Sequence, residues 1–173
     1  MRTFISIEPP IAVRHAIRRC CPQLKNLRLL PVEQLHLTLL FLGEQPHTIC
    51  DSVSRAVEQL TLQPFTIRLR GIGQFRSTVI WLGVEFSQPL QQLQQTISLS
   101  LQHQGISFEA RRFHPHLTLG RSLKPLTPPE VKCFSEALQG QEFSFTLSSI
   151  LLKESKLHAA GAIHSTLIEW PCE

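Results

Sequence analysis

Few of the side chains in this sequence of 173 residues are charged: 17%, with a net charge of only +4. So sparse a charge excludes a polyanion-coating tail and leaves room for a single anionic ligand. There is no C-x-x-C pair. The cysteines, Cys20, Cys21, Cys50, Cys133 and Cys172, are odd in number, and vicinal Cys20 and Cys21 do not readily form an unstrained bridge. A disulfide framework is therefore not expected, and a reduced, cytoplasmic protein is. No apolar run approaches a membrane span, and the opening segment carries Glu8 where a signal peptide would continue. A Gly-rich phosphate loop is missing too, since Gly71-x-Gly73 lacks the lysine and the helix start such a loop needs. Without a Gly-x-Ser-x-Gly elbow, the usual serine-hydrolase signature is also gone.

What is present is a repeat. His36-Leu37-Thr38-Leu39 recurs letter for letter at His116-Leu117-Thr118-Leu119, eighty positions later. On a strand, residues i and i+2 share a face, so each copy points one imidazole and one hydroxyl the same way and its leucines into a core. Two such strands side by side supply two acid/base groups and two neutral hydrogen-bond donors to one small site. A third instance, His164-Ser165-Thr166, has no matching partner and reads as structural or incidental. His114 shares a face with His116, but two imidazoles without a carboxylate or thiolate make a poor metal site. No metal and no cofactor are expected.

The rest of the chain scans as strand–helix–strand–helix–strand, twice, with one strand added. Strands are expected near residues 2–7, 35–41, 65–70, 78–84, 112–119, 143–152 and 162–168. Residues 71–77 read as a loop. Helices follow Pro9-Pro10, with Val13, Ala16, Ile17 and Cys20 at helical spacing, and span about 46–60 with Ile49, Val53, Val57 and Leu60. A third carries Leu90, Leu93, Ile97 and Leu101, and a fourth starts at Thr127-Pro128-Pro129-Glu130 and ends near Leu138. Each tetrad falls on the second strand of its half. The pattern predicts an α+β protein, a single domain over 1–173, with two internally duplicated βαβ-based lobes. Approximate two-fold symmetry relates them, and mixed sheets line a central groove.

The paired residues suit a phosphate ester. Opening a 2′,3′-cyclic phosphodiester needs a base for the attacking water and an acid for the departing oxygen. Two imidazoles, one neutral and one charged, supply both near neutral pH. The threonine hydroxyls suit the non-bridging oxygens.

His36-x-Thr38 with Phe41-Leu42-Gly43, and Phe113-His114-Pro115-His116-Leu117-Thr118-Leu119-Gly120-Arg121, resemble the paired motifs of the two-histidine phosphoesterase superfamily. The match is to its bacterial and archaeal RNA 2′,3′-cyclic phosphodiesterases, also called 2′-5′ RNA ligases. Ile80-Trp81-Leu82-Gly83 and the early strand-then-proline start fit as well. The resemblance implies a bilobal α+β fold around a basic groove and metal-independent hydrolysis of RNA or nucleotide 2′,3′-cyclic phosphates to 2′-phosphates. It casts His36 as proton donor to the leaving oxygen and His116 as proton acceptor from water. Thr38 and Thr118 would bind phosphate oxygens, with Arg121 a further contact. Phe41 is either a base contact or a core aromatic. Where members often carry a tyrosine on the last strand, this chain has His164. The expected partners are RNA ends or nucleotides bearing a 2′,3′-cyclic phosphate, met by a monomer without a membrane. End-joining to a 2′-5′ linkage and a non-catalytic nucleotide or RNA-end binding module are the alternatives.

Overall fold

Buried and half-exposed residues alternate through both tetrads: Leu37, Leu39, Leu117 and Leu119 are buried, while His36, Thr38, His116 and Thr118 are partly open. This alternation orients the sheet, and helices cover the leucine face. The computed structural model describes residues 1–159 and 161–173. Its strands are β1 (Arg2–Ile7), β2 (Leu27–Leu29), β3 (Leu37–Glu44), β4 (Thr66–Phe75), β5 (Val79–Val84), β6 (His116–Ser122), β7 (Phe143–Thr146), β8 (Ser149–His158) and β9 (Gly161–Pro171). The helices are α1 (Ile11–Cys20), α2 (Ile49–Val57), α3 (Gln88–His103) and α4 (Pro128–Leu138). Ile17, Val53, Leu90 and Phe134, one from each helix, join Leu37 and Leu117 in one core cluster. The start of α4 is as its sequence predicts. Pro128 and Pro129 occupy its first turn, and the Glu130 carboxylate accepts from the Thr127 N–H at 2.8 Å.

The strands form one sheet in the order β7-β4-β5-β6-β3-β1-β8-β9, with β2 against β6. Outward from the centre, β3-β1-β8-β9 on one side answers β6-β5-β4-β7 on the other. β4, from the first half of the chain, lies with strands of the second, and β8 makes the reverse crossing.

Three features differ from the sequence reading. The sheet is not mixed: every pairing among the described residues is antiparallel. After α1 and after α3 an extended link carries the chain back to the end where the preceding strand finished. β3 thus starts beside the end of β1 (Ile7↔Leu37), and β6 beside the end of β5 (Gly83↔His116). Second, the stretch 143–152 is two strands, β7 against β4 and β8 against β1, at opposite ends of the sheet. Third, 71–77 is mostly strand. β4 runs on through a bulge at Gly71 (φ 82°) and turns at Arg76 and Ser77, both with positive φ (48° and 55°). Two successive left-handed residues make the tight turn whose twist suits a hairpin, and non-glycine residues there cost about 1 kcal/mol or more each. Arg-Ser is a poor signal for such a turn.

Candidate active site

β3 and β6 are joined at a single pair, Leu37↔Leu117. That register sets His36 level with Thr118 and Thr38 level with His116, all four on the face opposite the leucines. Cross-strand neighbours have Cβ atoms about 4.5–5.5 Å apart, so the two His-x-Thr units form a small quadrilateral.

Both imidazoles are anchored the same way. His36 Nδ1 lies 2.7 Å from the Gln34 carbonyl oxygen, and His116 Nδ1 lies 2.6 Å from that of His114. A carbonyl only accepts, so each Nδ1 carries the hydrogen. Each Nε2 is then left as the nitrogen that takes up or gives away a proton.

The rings differ in their surroundings. His36 meets Phe4 at 5.0 Å between centroids and His164 at 5.2 Å, the latter edge-on at 85°. Burial pushes the His36 pKa down to about 4, against the pull of the Gln34 carbonyl; His164, Lys153 and His116 add to the depression. His116 packs edge-on against Phe75 at 4.8 Å and beside Trp81 at 5.8 Å. Its pKa is also below the ordinary imidazole value, by burial first and then by the charges of His114 and Arg121, with the His114 carbonyl opposing. Trp81 has room for its indole because its partner in β4 is Gly73; a Cβ there would run into the ring.

Arg121 reaches the site through an irregularity. In a regular strand it would face away from His116 and Thr118. Between Ile80↔Gly120 and Trp81↔Thr118 the register skips Leu119, so Val79, Trp81 and Gly83 of one face lie opposite Arg121, Thr118 and His116. Its charge depresses the pKa of both His116 and His164. β3 repeats the device: Leu39 is skipped between Ile5↔Leu40 and Ser6↔Thr38, which turns Phe41 onto the face of Thr38. There the Arg2 guanidinium covers the Phe41 ring at 4.8 Å.

His164, read from the sequence as incidental, belongs to this cluster. It sits 5.0 Å from Phe4 and 5.2 Å from His36. Burial and the charges of Lys153, Arg121 and Arg2 lower its pKa, and its Nδ1, like Trp81 Nε1, is buried with no partner in the protein among the described residues. No group of three His, Cys, Asp or Glu side chains is placed to hold a metal ion among the described residues. A cavity of about 690 Å³ between β4 and α4, lined by Arg68, Arg70, Glu85 and Gln139 among others, holds none of these histidines.

Similarity to known proteins places the molecule. The profile of the 2′-5′ RNA ligase superfamily matches residues 7–156. The chain belongs to that family. It is 34% identical over 143 residues to the RNA 2′,3′-cyclic phosphodiesterase of Aeropyrum pernix, covering 79% of this chain and 81% of that one. It is 30% identical over 177 residues to the protein of the same name from Methanocaldococcus jannaschii, covering 98% and 100%. Among solved structures, Escherichia coli LigT complexed with 3′-AMP superimposes with a TM-score of 0.80 at 28% identity, over 99% of this chain and 97% of that one. The α+β architecture is the one these two-histidine phosphoesterases share. No helix among the described residues is long and apolar enough to cross a membrane.

Proposed function

We propose that this chain is an RNA 2′,3′-cyclic phosphodiesterase that opens the ring to a 2′-phosphomonoester with the two imidazoles as its acid and base. The observation that carries the reading is the register at Leu37↔Leu117, which sets two anchored His-x-Thr units on one face. His116 Nε2 takes a proton from water as the water oxygen bonds to phosphorus. The bond from phosphorus to the 3′ oxygen breaks, and His36 Nε2–H protonates that oxygen. Proton exchange with solvent resets both rings. Thr38, Thr118 and Arg121 face the non-bridging oxygens, where negative charge grows in the transition state. Phe41, held under Arg2, borders the same face. The whole chain acts as one domain whose halves arose by duplication.

The pH dependence follows from the depressed pKa values. Catalysis needs His36 charged and His116 neutral, and since burial holds His36 at about 4 in the free protein, the bound phosphodiester anion has to draw the proton onto it. In the free protein His36 titrates at about 4 and His116 below the ordinary 6.5, so kcat/KM should peak below pH 6.5. A bound phosphodiester anion favours imidazolium, which raises both values, so the kcat profile should sit at higher pH than that of kcat/KM. Phosphorus NMR of a 2′,3′-cyclic nucleotide incubated with the protein across pH 4–8 checks both points. A 2′-phosphate should accumulate; an unchanged cyclic resonance at every pH refutes the assignment, and a 3′-phosphate reverses the leaving group.

A further inference from the structure

Strands β2 and β6 bring two arginines directly opposite one another, in the register Leu27↔Ser122, Arg28↔Arg121 and Leu29↔Gly120. Opposed residues of an antiparallel pair project from one face, and like charges so placed repel. Arg28 therefore shares the face of Arg121, Thr118 and His116. Neither guanidinium has a carboxylate within ion-pair distance among the described residues. The close approach of β2 is built in: a Cβ on Gly120 would stand 2.9 Å from the Arg28 carbonyl oxygen.

The Arg28 side chain then reaches across to the turn of the β8–β9 hairpin. Its Nη1 lies 3.3 Å from where a Cβ on Gly161 would stand, so glycine at the turn leaves room for the guanidinium. The hairpin pairs Lys153↔Thr166, Ser155↔His164 and Leu157↔Ala162, so Leu157 lies on the same face as His164. Leu157 is 73% exposed. From the reacting quadrilateral outward, the surface thus runs through Arg121 to Arg28 on one side, and through His164 to Leu157 on the other.

We propose that Arg28 is a second phosphate subsite, with Arg121 bridging to it from the cyclic phosphate; it takes the backbone phosphate of an RNA strand adjoining the terminal cyclic phosphate, with Leu157 offering apolar surface to the neighbouring nucleotide. An anion between the guanidiniums removes the repulsion that the pairing imposes. This rests on the reading of the quadrilateral as a cyclic-phosphate site, and the test separates the two.

The first measurement is binding, which needs no turnover: fluorescence anisotropy of a labelled oligoribonucleotide ending in a 2′-phosphate, against salt concentration, for wild type, Arg28→Ala and Arg28→Lys. Arg28→Ala should weaken binding about tenfold at low salt and make the slope of log K against log[salt] shallower by about 0.7, the loss of one single-strand phosphate contact. Arg28→Lys should recover the slope. The second measurement is the ratio of kcat/KM for a cyclic-phosphate-ended oligonucleotide to that for a 2′,3′-cyclic mononucleotide, which should fall about tenfold in Arg28→Ala, mainly through KM. Because the substitution relieves a like-charge contact, the melting temperature should not fall. Identical slopes and affinities in wild type and Arg28→Ala overturn the subsite, whatever the catalytic result. A shallower slope without turnover of either substrate keeps the subsite and rejects the catalytic reading.

Discussion

Replacement of either His36 or His116 by alanine should lower kcat for a 2′,3′-cyclic phosphate by about 10²–10⁴-fold, the usual worth of one positioned acid or base. The geometry makes the loss one of chemistry rather than folding. Both rings are only partly buried, and each is tied to the protein through one Nδ1 hydrogen bond to a carbonyl two residues earlier. Removing the ring frees that carbonyl to water and leaves the leucine face untouched. The double replacement should cost little more than the worse single one, because an acid without its base is of little use in a concerted displacement. Circular dichroism should be unchanged in all three variants. Near-wild-type turnover in the double variant would falsify the two-imidazole mechanism.

Loss of Glu8 should be strongly destabilising. Glu8 follows β1 and stands between two cations. Its carboxylate accepts from Lys153 Nζ through one oxygen and lies 3.3 Å from Arg14 Nη1 through the other. The three side chains are only 18%, 5% and 13% exposed, for Glu8, Lys153 and Arg14 in turn. Glu8→Ala leaves two poorly solvated positive charges with no counter-charge, and breaking such a buried pair from one side costs about 3–5 kcal/mol. For a domain of this size that is a fall in melting temperature on the order of 10 °C. The triple variant Glu8→Leu/Arg14→Met/Lys153→Met should recover much of the loss, since replacing all three charges by apolar groups removes the charge burial as well. The two results separate a buried-charge penalty from lost packing. A melting temperature within about 2 °C of wild type for Glu8→Ala would show that water reaches Lys153 and screens it.

The imidazoles and hydroxyls were legible in the sequence because strand periodicity alone puts i and i+2 together, and because the tetrad occurs twice. Arg121 and Phe41 were legible only through family resemblance. Each lies at an odd distance from its histidine, and what turns it onto the site is the extra residue at Leu119 or Leu39, which no spacing rule announces. His164 was missed because its relevance depends on the pairing of β8 with β9 and of β8 with β1, both long-range events. The four helices were visible through their apolar stripes. The direction of the strands was not, since it depends on where the links after α1 and α3 return the chain.

The crossing of β4 and β8 bears on how the molecule acquires its structure. Thr3 pairs with Glu154 and Ile5 with Leu152, contacts between the two extremes of the chain. Nucleation within one half therefore produces a sheet that lacks its outer strand until the other half has been made and has docked. Such a topology has high contact order, for which folding on the millisecond-to-second scale is the norm. During synthesis on the ribosome, the first half should wait with an open β1 edge until β8 emerges.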